Sequence, residues 1–328
     1  MQAFEYVANR TPHRIAVIFE TVKYTYETVN RASKRLASTL FQEGIRTGDN
    51  ICVNMDSSVN LIVSMMAIWK LGAVYVPLNK ELPLKRKLHI AQETAAKMII
   101  TDVHFEPTAT TAHIFFWNDS IYSTIIDDRK FAPVVELQEL AYIIFTSGSS
   151  GEPKGVPIKH KSLVDRILYH IDYLEIDERI KFLQFCSIGF DASLAEILMP
   201  LLCGGTVVIP TYEEKKSIPL LIQLIDQQKV SAALFSPSFL AELYGAPLET
   251  VEIIISTGEA ASVKQAFYYS QVKRFYNGYG PTETCFGATF FKMGEPAVRS
   301  NPDLVKKSLP LGTPFANTQI YILDDQYR

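Results

Sequence analysis

Short apolar runs alternate with amphipathic helical patterns along most of this chain, and that alternation limits the folds it can adopt. Two parallel strands need a crossover of about a dozen or more residues between them, which is usually a helix. Before residue 102 the predicted helices are 26–44, 61–71 and one that follows Pro83, and the predicted strands are 51–54, 73–76 and 98–101. This pattern predicts a parallel sheet covered by helices.

The same alternation resumes at residue 140. The predicted strands are 142–145, 182–185, 206–209, 232–235, 252–256 and 274–276, and the predicted helices are one from Lys161 and those at 194–202, 220–227 and 263–269. A chain of 328 residues can bury the cores of more than one such unit. The sequence therefore predicts an α/β fold with two stacked α/β lobes and mostly parallel sheets.

The two lobes are predicted to meet at an irregular connection. Residues 102–135 carry scattered Thr, Asn and Asp, which predicts a variable connection with one or two strands. We therefore assign residues 1–135 to the first lobe and residues 136–328 to the second. The second lobe is expected to end in a strand at 318–323, as part of an incomplete β subdomain.

Charge and cysteine spacing exclude several classes of function. The formal net charge of -3 gives no basic surface for nucleic acid or an anionic membrane, so neither partner is expected. The four cysteines lie far apart without a CxxC pair, which argues against zinc and against a disulfide framework and fits a reducing cytoplasm. The longest apolar stretch, 61–76, is interrupted by Lys70 and Gly72, so no membrane span is predicted.

The stretch "IIFTSGSSGEPKG" joins an apolar strand to a loop of small hydroxyl residues and glycines. It differs from a Walker P-loop, because Lys154 is followed by Gly155 and the Gly-Lys-Ser/Thr ending is missing. A solvent-exposed turn and a backbone cradle for a polyphosphate both remain open on composition alone.

Two further stretches allow both a structural and a functional interpretation. In "YNGYGPTET", the residues from Pro281 to Glu283 could open a capped helix or belong to a nucleotide site. In "FDASLAEIL", Asp191 could cap an apolar helix or pair with a cation in a pocket.

Taken together and in order, these stretches resemble the adenylate-forming superfamily, specifically the amino-acid adenylation domains of nonribosomal peptide synthetases. The resemblance covers nearly the whole chain. It rests on "VKYTYETVNRASKRLA", "LGAVYVPLN", "LAYIIFTSGSSGEPKGV", "FDAS" and "YNGYGPTE". It implies that an amino-acid carboxylate attacks the α-phosphate of ATP in the presence of Mg²⁺, giving aminoacyl-AMP and pyrophosphate. The acyl group would then pass to a phosphopantetheine thiol on a peptidyl carrier protein.

The resemblance also implies a nucleotide site. Residues expected along the β- and γ-phosphates, or allowing close backbone approach to them, are Thr146, Ser147, Gly148, Ser149, Ser150, Gly151 and Lys154. Asn277 would bond the adenine amino group, Tyr279 would pack on the ring, and Gly258 and Gly278 would line the site. Thr282 would meet the α-phosphate and Glu283 would hold Mg²⁺. The expected catalytic residues are Thr146, Lys154, Thr282 and Glu283.

For the substrate, the resemblance implies that Asp191 binds the α-ammonium group. The side-chain pocket would be lined by Ala192, Ala195, Leu234, Ile255, Thr257, Gly278, Phe286 and Gly287. Small residues and the lack of another charge predict a neutral, fairly large apolar or aromatic amino acid, although Phe286 could shorten the pocket.

Family members continue beyond the position of Arg328 with a small carboxy-terminal domain that carries a further lysine. The sequence is therefore interpreted as the large amino-terminal portion, weakly active or inactive without that partner subdomain. Two other readings remain open. One is a stand-alone ligase of the same superfamily, such as a D-alanine carrier-protein ligase or an acyl-CoA synthetase, and the other is a catalytically impaired nucleotide-binding module.

Overall fold

The computed structural model describes residues 2–105, 110–123, 136–147, 153–294 and 308–326. Its helices are α1 (Gln2–Arg10), α2 (Tyr26–Gln42), α3 (Val59–Lys70), α4 (Leu84–Glu93), α5 (His160–Tyr173), α6 (Ala192–Cys203), α7 (Tyr212–Lys216), α8 (Ile218–Gln228), α9 (Pro237–Glu242) and α10 (Val263–Ser270). Short 3₁₀ helices cover Asp119–Tyr122 and Thr282–Thr284.

The strands alternate with these helices along the chain. They are β1 (Ile15–Phe19), β2 (Val22–Thr25), β3 (Asn50–Asn54), β4 (Val74–Pro77), β5 (Met98–Thr101), β6 (His113–Phe116), β7 (Leu140–Ser147), β8 (Pro153–Lys159), β9 (Lys181–Leu183), β10 (Thr206–Ile209), β11 (Ala232–Phe235), β12 (Ile253–Ser256), β13 (Arg274–Tyr279), β14 (Thr289–Lys292) and β15 (Thr313–Pro314).

In the described residues these strands form two sheets. Sheet I has the order β6-β5-β3-β4-β7-β8, and its pairs are parallel except for the antiparallel hairpin of β7 and β8. Sheet II has the order β15-β14-β13-β12-β11-β9-β10-β1-β2, parallel from β13 to β1 and antiparallel toward both edges. The parallel centres of both sheets agree with the predicted fold class.

Sheet membership does not follow the predicted lobe boundary at residue 135. Strand β1 pairs in parallel with β10, which places Val17 opposite Val207 in sheet II. Strand β7 pairs with β4, which places Tyr142 opposite Tyr75 in sheet I. The amino-terminal strands therefore join the later sheet, and the hairpin after residue 139 completes the earlier one, so a cut of the sequence at one position does not separate the sheets.

One apolar core contains residues of both sheets and of the two helices α3 and α6. Nearly every residue of α3 and α6 is buried, including Met65, Met66 and Leu198. A helix that is apolar on all sides must be surrounded by protein, because no face of it can be left to water at low cost. Both helices lie in the core that the two sheets share, and α6 also lines the candidate site described below.

The predicted strand at 318–323 is wrong. The described backbone of this segment pairs with no strand, and Ile322 is 98% exposed. The apolar residues of the segment suggested a strand, but a strand also needs a neighbouring edge that satisfies its backbone groups. The short edge strand β15 lies a few residues earlier, where Thr313 pairs with Phe290. In the described part of the chain, no helix combines the length and apolarity needed to cross a membrane.

Candidate functional site

A cavity lies at the carboxyl ends of β11, β12 and β13, where α5 and α6 pack against sheet II. Its cavity volume is about 10 Å³, room for roughly one water-sized group, within about 320 Å³ of empty space that includes open solvent. Clefts at the carboxyl ends of parallel strands are the usual ligand sites of α/β sheets, because loops there diverge to the two faces. All eight residues predicted to line a substrate pocket line this cavity: Ala192, Ala195, Leu234, Ile255, Thr257, Gly278, Phe286 and Gly287.

The cavity also has lining residues that the sequence did not identify: His170, Met199 and Phe290, together with Tyr279, which was expected at the adenine ring. Met199 follows Ala192 and Ala195 at helical spacing, so the period of α6 could have found it. Phe290 lies opposite Gly278 in the β13–β14 pair, a strand pairing that was not predicted. His170 belongs to no motif, and only the packing of α5 brings it to the cavity.

Asp191 lies beside this cavity at the first turn of α6. Its carboxylate makes no side-chain capping bond to that helix. It accepts instead a hydrogen bond of 2.8 Å from the backbone N–H of Phe286, a cavity residue. This bond joins the start of α6 to the loop that carries Phe286.

Burial raises the pKa of Asp191 to about 6, and the negative charge of Glu283 contributes in the same direction. The backbone N–H groups of Phe286, of Ala192 and of Asp191 itself stabilise the ionised form and limit the increase. The described residues offer this carboxylate no ion pair with Lys, Arg or His, so its ionised form lacks a countercharge. Such a group is suited to bind a cation that comes from outside the chain.

The loop that precedes Asp191 is fixed by a second buried carboxylate. Glu196, on α6, accepts hydrogen bonds from the backbone N–H of Cys186 at 2.9 Å and from Nε2 of Gln184 at 3.2 Å. Burial raises the pKa of Glu196 to about 7, with the Lys215 ammonium acting in the opposite direction. Glu196 lies within the quoted stretch "FDASLAEIL", but the sequence alone gave no reason to single it out.

The loop 280–288 carries the lining residues Phe286 and Gly287, and its two ends come into close backbone contact at Gly280 and Gly287. A Cβ placed on Gly280 would lie 2.5 Å from Cα of Gly287 and 2.6 Å from N of Ala288. Between the glycines, Cys285 and Phe286 both adopt left-handed backbone conformations, with φ of 61° and 50°. Non-glycine residues in this region are strained, and such strain persists where the surrounding structure imposes it.

Only part of the predicted phosphate loop is within the described residues. Gly148, Ser149, Ser150 and Gly151 lie outside them. The hairpin that carries the loop places Thr146 opposite Lys154, with the Lys154 side chain exposed. Residues of β8 lie within 8 Å of the 3₁₀ helix Thr282–Thr284, Cα to Cα. The end of sheet I therefore meets the loop that follows β13 of sheet II.

The predicted adenine residues lie near this meeting point at the end of β13. Nδ2 of buried Asn277 donates to the carbonyl of Pro310 at 2.9 Å. A carbonyl can only accept, so this bond orients the amide and leaves Oδ1 as the acceptor. Tyr279 is 47% exposed, which leaves a face of its ring accessible. Gly258 follows β12 with φ of 91° and has no atom within 4 Å of an added Cβ.

Glu283 is exposed on the 3₁₀ helix beside Thr282. Within the described ranges, no group of three or more His, Cys, Asp or Glu side chains could hold a metal ion. A single carboxylate still fits Mg²⁺, because this ion is usually held by one or two carboxylates together with substrate phosphates. The residue types here are therefore compatible with a magnesium nucleotide.

Comparison with known proteins decides the family. The sequence profile described as "AMP-binding enzyme" matches residues 4–328. The chain belongs to the AMP-binding enzyme family. The resemblance inferred from the motifs is thus confirmed at the level of this family.

The AMP-binding chain is also similar to peptide synthases. A linear gramicidin synthase protein of Brevibacillus parabrevis is 33% identical over 326 residues, which cover 98% of this chain and 4% of that protein. Gramicidin S synthase 1 of Brevibacillus brevis is 28% identical over 330 residues, which cover 99% of this chain and 29% of that protein. The chain therefore spans a small part of the relatives it matches.

Solved structures confirm the α/β fold class of this AMP-binding chain. The N-terminal subdomain of Klebsiella oxytoca NpsA, in complex with 3-hydroxyanthranilyl-AMSN, has a TM-score of 0.86 at 24% identity and covers 100% of this chain and 82% of that one. NpsA-ThdA, an artificially fused adenylation–PCP di-domain from the same organism, has a TM-score of 0.87 at 24% identity and covers 100% and 65%.

Proposed function

We propose that this chain is the large portion of an amino-acid adenylating ligase in nonribosomal peptide synthesis. It would use ATP to convert an amino-acid carboxylate into aminoacyl-AMP with release of pyrophosphate, for transfer to a carrier-protein thiol. The observation that carries the proposal is Asp191, a buried carboxylate without a countercharge in the described residues, held beside an apolar cavity.

The position of Asp191 suits an α-amino acid. An ammonium group brought to this carboxylate would pair with it in a partly dry site, where the attraction between charges is stronger than in water. The side chain would then extend into the cavity past Ala192 and Ala195. A fatty acid has no cation to offer, and binding it would leave the carboxylate buried without a partner. This argues against the acyl-CoA synthetase alternative.

The residues that would hold the nucleotide fit its chemistry. Oδ1 of Asn277, left free to accept by the Pro310 contact, would take a hydrogen bond from the adenine amino group. The accessible ring of Tyr279 would stack on the base. An acceptor at this position would favour a base that carries an amino group, such as adenine.

Positioning and charge neutralisation would perform the chemistry, because attack of a carboxylate on phosphorus needs no protein nucleophile. Lys154 and the hydroxyls of Thr146 and Ser147 would lie along the β- and γ-phosphates. Thr282 would contact the α-phosphate, and Glu283 would hold Mg²⁺. The presence of both Lys154 and Glu283, the charged residues that this chemistry requires, argues against the alternative of a catalytically impaired nucleotide-binding module.

The relatives support the assignment to peptide synthesis and the expected partner. One relative is a linear gramicidin synthase protein, and one similar structure is that of an adenylation–PCP di-domain. We accordingly propose a peptidyl carrier protein, with its phosphopantetheine thiol, as the acceptor of the activated amino acid, and a cytoplasmic location for the reaction.

The experiment that tests this function is thermal unfolding of the chain with Mg²⁺-ATP, alone and together with each of the twenty amino acids and D-alanine. A ligand that binds only the folded state raises its stability, by about 2.7 kcal/mol at a free concentration 100 times Kd. We expect Mg²⁺-ATP to raise the midpoint and one neutral amino acid to raise it further. Absence of any amino-acid effect would contradict the proposal.

Binding of the amino acid is expected to weaken in acid. Only ionised Asp191 pairs with the ammonium, and the pKa of this carboxyl in the free chain is about 6. Affinity should therefore fall about tenfold per pH unit below that pKa and level off above it. Calorimetric titrations between about pH 5 and pH 8 measure the slope. An affinity independent of pH over this range would exclude an ionised Asp191 as the ammonium partner.

The stability of the free chain should show the opposite trend. The pKa of Asp191 is higher in the folded chain than its ordinary value of 3.8, so the folded state holds this proton more tightly. The contribution of Asp191 to stability therefore falls as the pH rises from about 4 through 6.

Replacing Glu283 with glutamine should weaken binding of Mg²⁺-ATP, since an amide oxygen is a poorer ligand for a hard cation than a carboxylate. We expect roughly a tenfold loss, and a smaller loss for ATP titrated in EDTA, where no Mg²⁺ contact is made. Equal losses with and without Mg²⁺ would show that Glu283 acts on the nucleotide in some other way.

A further inference from the structure

A buried histidine that the proposed reaction does not use lines the cavity. His170 lies in the last turn of α5 and is 3% exposed. Its Nδ1 is 2.7 Å from the carbonyl oxygen of Arg166. Since a carbonyl oxygen can only accept, Nδ1 must carry the proton. The other ring nitrogen, Nε2, is then an acceptor whenever the imidazole is neutral.

Three phenyl rings keep this imidazole neutral. Phe286, Phe290 and Phe315 pack edge-on against it, with ring centroids at 5.5, 4.8 and 4.9 Å. Burial lowers the pKa of His170 to about 3, so the ring carries no charge near neutral pH. Within the described residues, the hydrogen bond of the ring is made by Nδ1 alone.

His170 is one of the residues that line the cavity. Because Nδ1 is bonded to the carbonyl of Arg166, Nε2 is the ring nitrogen left to bond a ligand there. Cε1, which joins the two nitrogens, would lie 3.4 Å from a Cβ placed on the lining residue Gly287. The neighbouring lining is largely apolar, with Met199, Leu234 and Ile255 among its members. A substrate side chain in this cavity therefore meets few polar side chains, namely those of His170, Thr257 and Tyr279, in otherwise largely apolar surroundings.

We propose that His170 selects the substrate by accepting a hydrogen bond at Nε2 from a side-chain O–H or N–H group of the amino acid. This inference rests on the proposed function and narrows its substrate class from neutral amino acids in general to those that carry such a donor. An apolar side chain of the same shape would remove water from Nε2 and leave it without a donor. Sites built to bond a substrate hydroxyl reject the analogue that lacks it much more strongly than apolar pockets reject an extra hydroxyl.

The test compares pairs of amino acids that differ mainly in the donor. The pairs are tyrosine with phenylalanine, threonine with valine, serine with alanine, and tryptophan with 3-benzothienylalanine, in which sulfur replaces the indole N–H. Each is titrated calorimetrically into the chain with Mg²⁺ and α,β-methylene-ATP, which cannot be cleaved at the bond that reacts. For the pair that fits the cavity, the donor-bearing member should bind roughly 10- to 100-fold tighter.

Variants assign that preference to the histidine. His170→Leu removes the acceptor and should abolish or reverse the preference, while His170→Gln keeps an acceptor oxygen and should retain part of it. His160→Leu is the matched control, because His160 is also buried on α5 but lines a different cavity, and it should leave the preference unchanged. Affinity for the nucleotide analogue reports whether each variant is folded.

Three results would overturn the inference. The first is a wild-type chain that binds the member without a donor as tightly or more tightly in every pair, and this result does not depend on how well the variants fold. The second is an unchanged preference in His170→Leu. The third is a chain that binds the nucleotide but no amino acid, which would overturn the proposed function itself.

Discussion

The Asp191→Asn variant is expected to lose about 3–5 kcal/mol of amino-acid binding free energy, which is more than a hundredfold in Kd. Asparagine keeps the size of the side chain and an oxygen that can accept from the Phe286 N–H, at present 2.8 Å away. What it removes is the negative charge, so an ammonium group would be buried without a countercharge. Calorimetric titration of wild type and variant above pH 7 measures the difference.

The same variant separates the two readings of Asp191. If this residue acted only as a helix cap, Asp191→Asn would leave both stability and amino-acid affinity nearly unchanged, because asparagine caps helices as well as aspartate, whereas Asp191→Ala would lower the free energy of unfolding by about 1 kcal/mol. Because burial disfavours its charge in the free chain, we expect the variant to be as stable as the wild type or more stable at pH 8. Unchanged amino-acid affinity in Asp191→Asn would reject the ammonium role, whatever its stability.

The Gly280→Ala variant should lower the free energy of unfolding by about 1–3 kcal/mol or more and should also weaken amino-acid binding. The added Cβ would fall 2.5 Å from Cα of Gly287, and backbone atoms cannot move aside as the end of a flexible side chain can. Relief of this clash would strain the bond from Ala288 N–H to the Tyr279 carbonyl and shift Phe286 away from Asp191. Urea unfolding and calorimetric titration measure the two effects.

The Gly189→Ala variant is the matched control. It makes the same chemical change in the loop before Asp191, but its Cβ would come no closer than 3.8 Å to Asn79 and Ser187. We expect its stability to lie within about 1 kcal/mol of the wild type. If Gly280→Ala were equally well tolerated, the close crossing of Gly280 and Gly287 would not be a constraint on the cavity.

Local sequence motifs predicted most of the residues that line the candidate site. Residues such as Ala192, Ala195 and Gly287 were predicted as cavity lining from motif resemblance, and the structure brings them together around one cavity. The roles of the predicted nucleotide residues stay predictions, with four of them in the part of the phosphate loop outside the described residues. His170 and Glu196 were missed because their importance comes from packing and burial, and neither leaves a local pattern in the chain.

The sequence by itself determined the α/β class, the parallel strands at the centre of the sheets and the position of each motif along the chain. These features depend on hydrophobic periodicity and on glycines, which are patterns of residues close together in the sequence. Only the tertiary structure decided which strands share a sheet. Strand β1 joins β10, and the β7–β8 hairpin joins β4, through pairings between distant segments. It also decided that 318–323 is not a strand and that a neutral imidazole lines the cavity. These outcomes depend on which edges and surfaces remain available after the chain packs, and that is set by the whole fold.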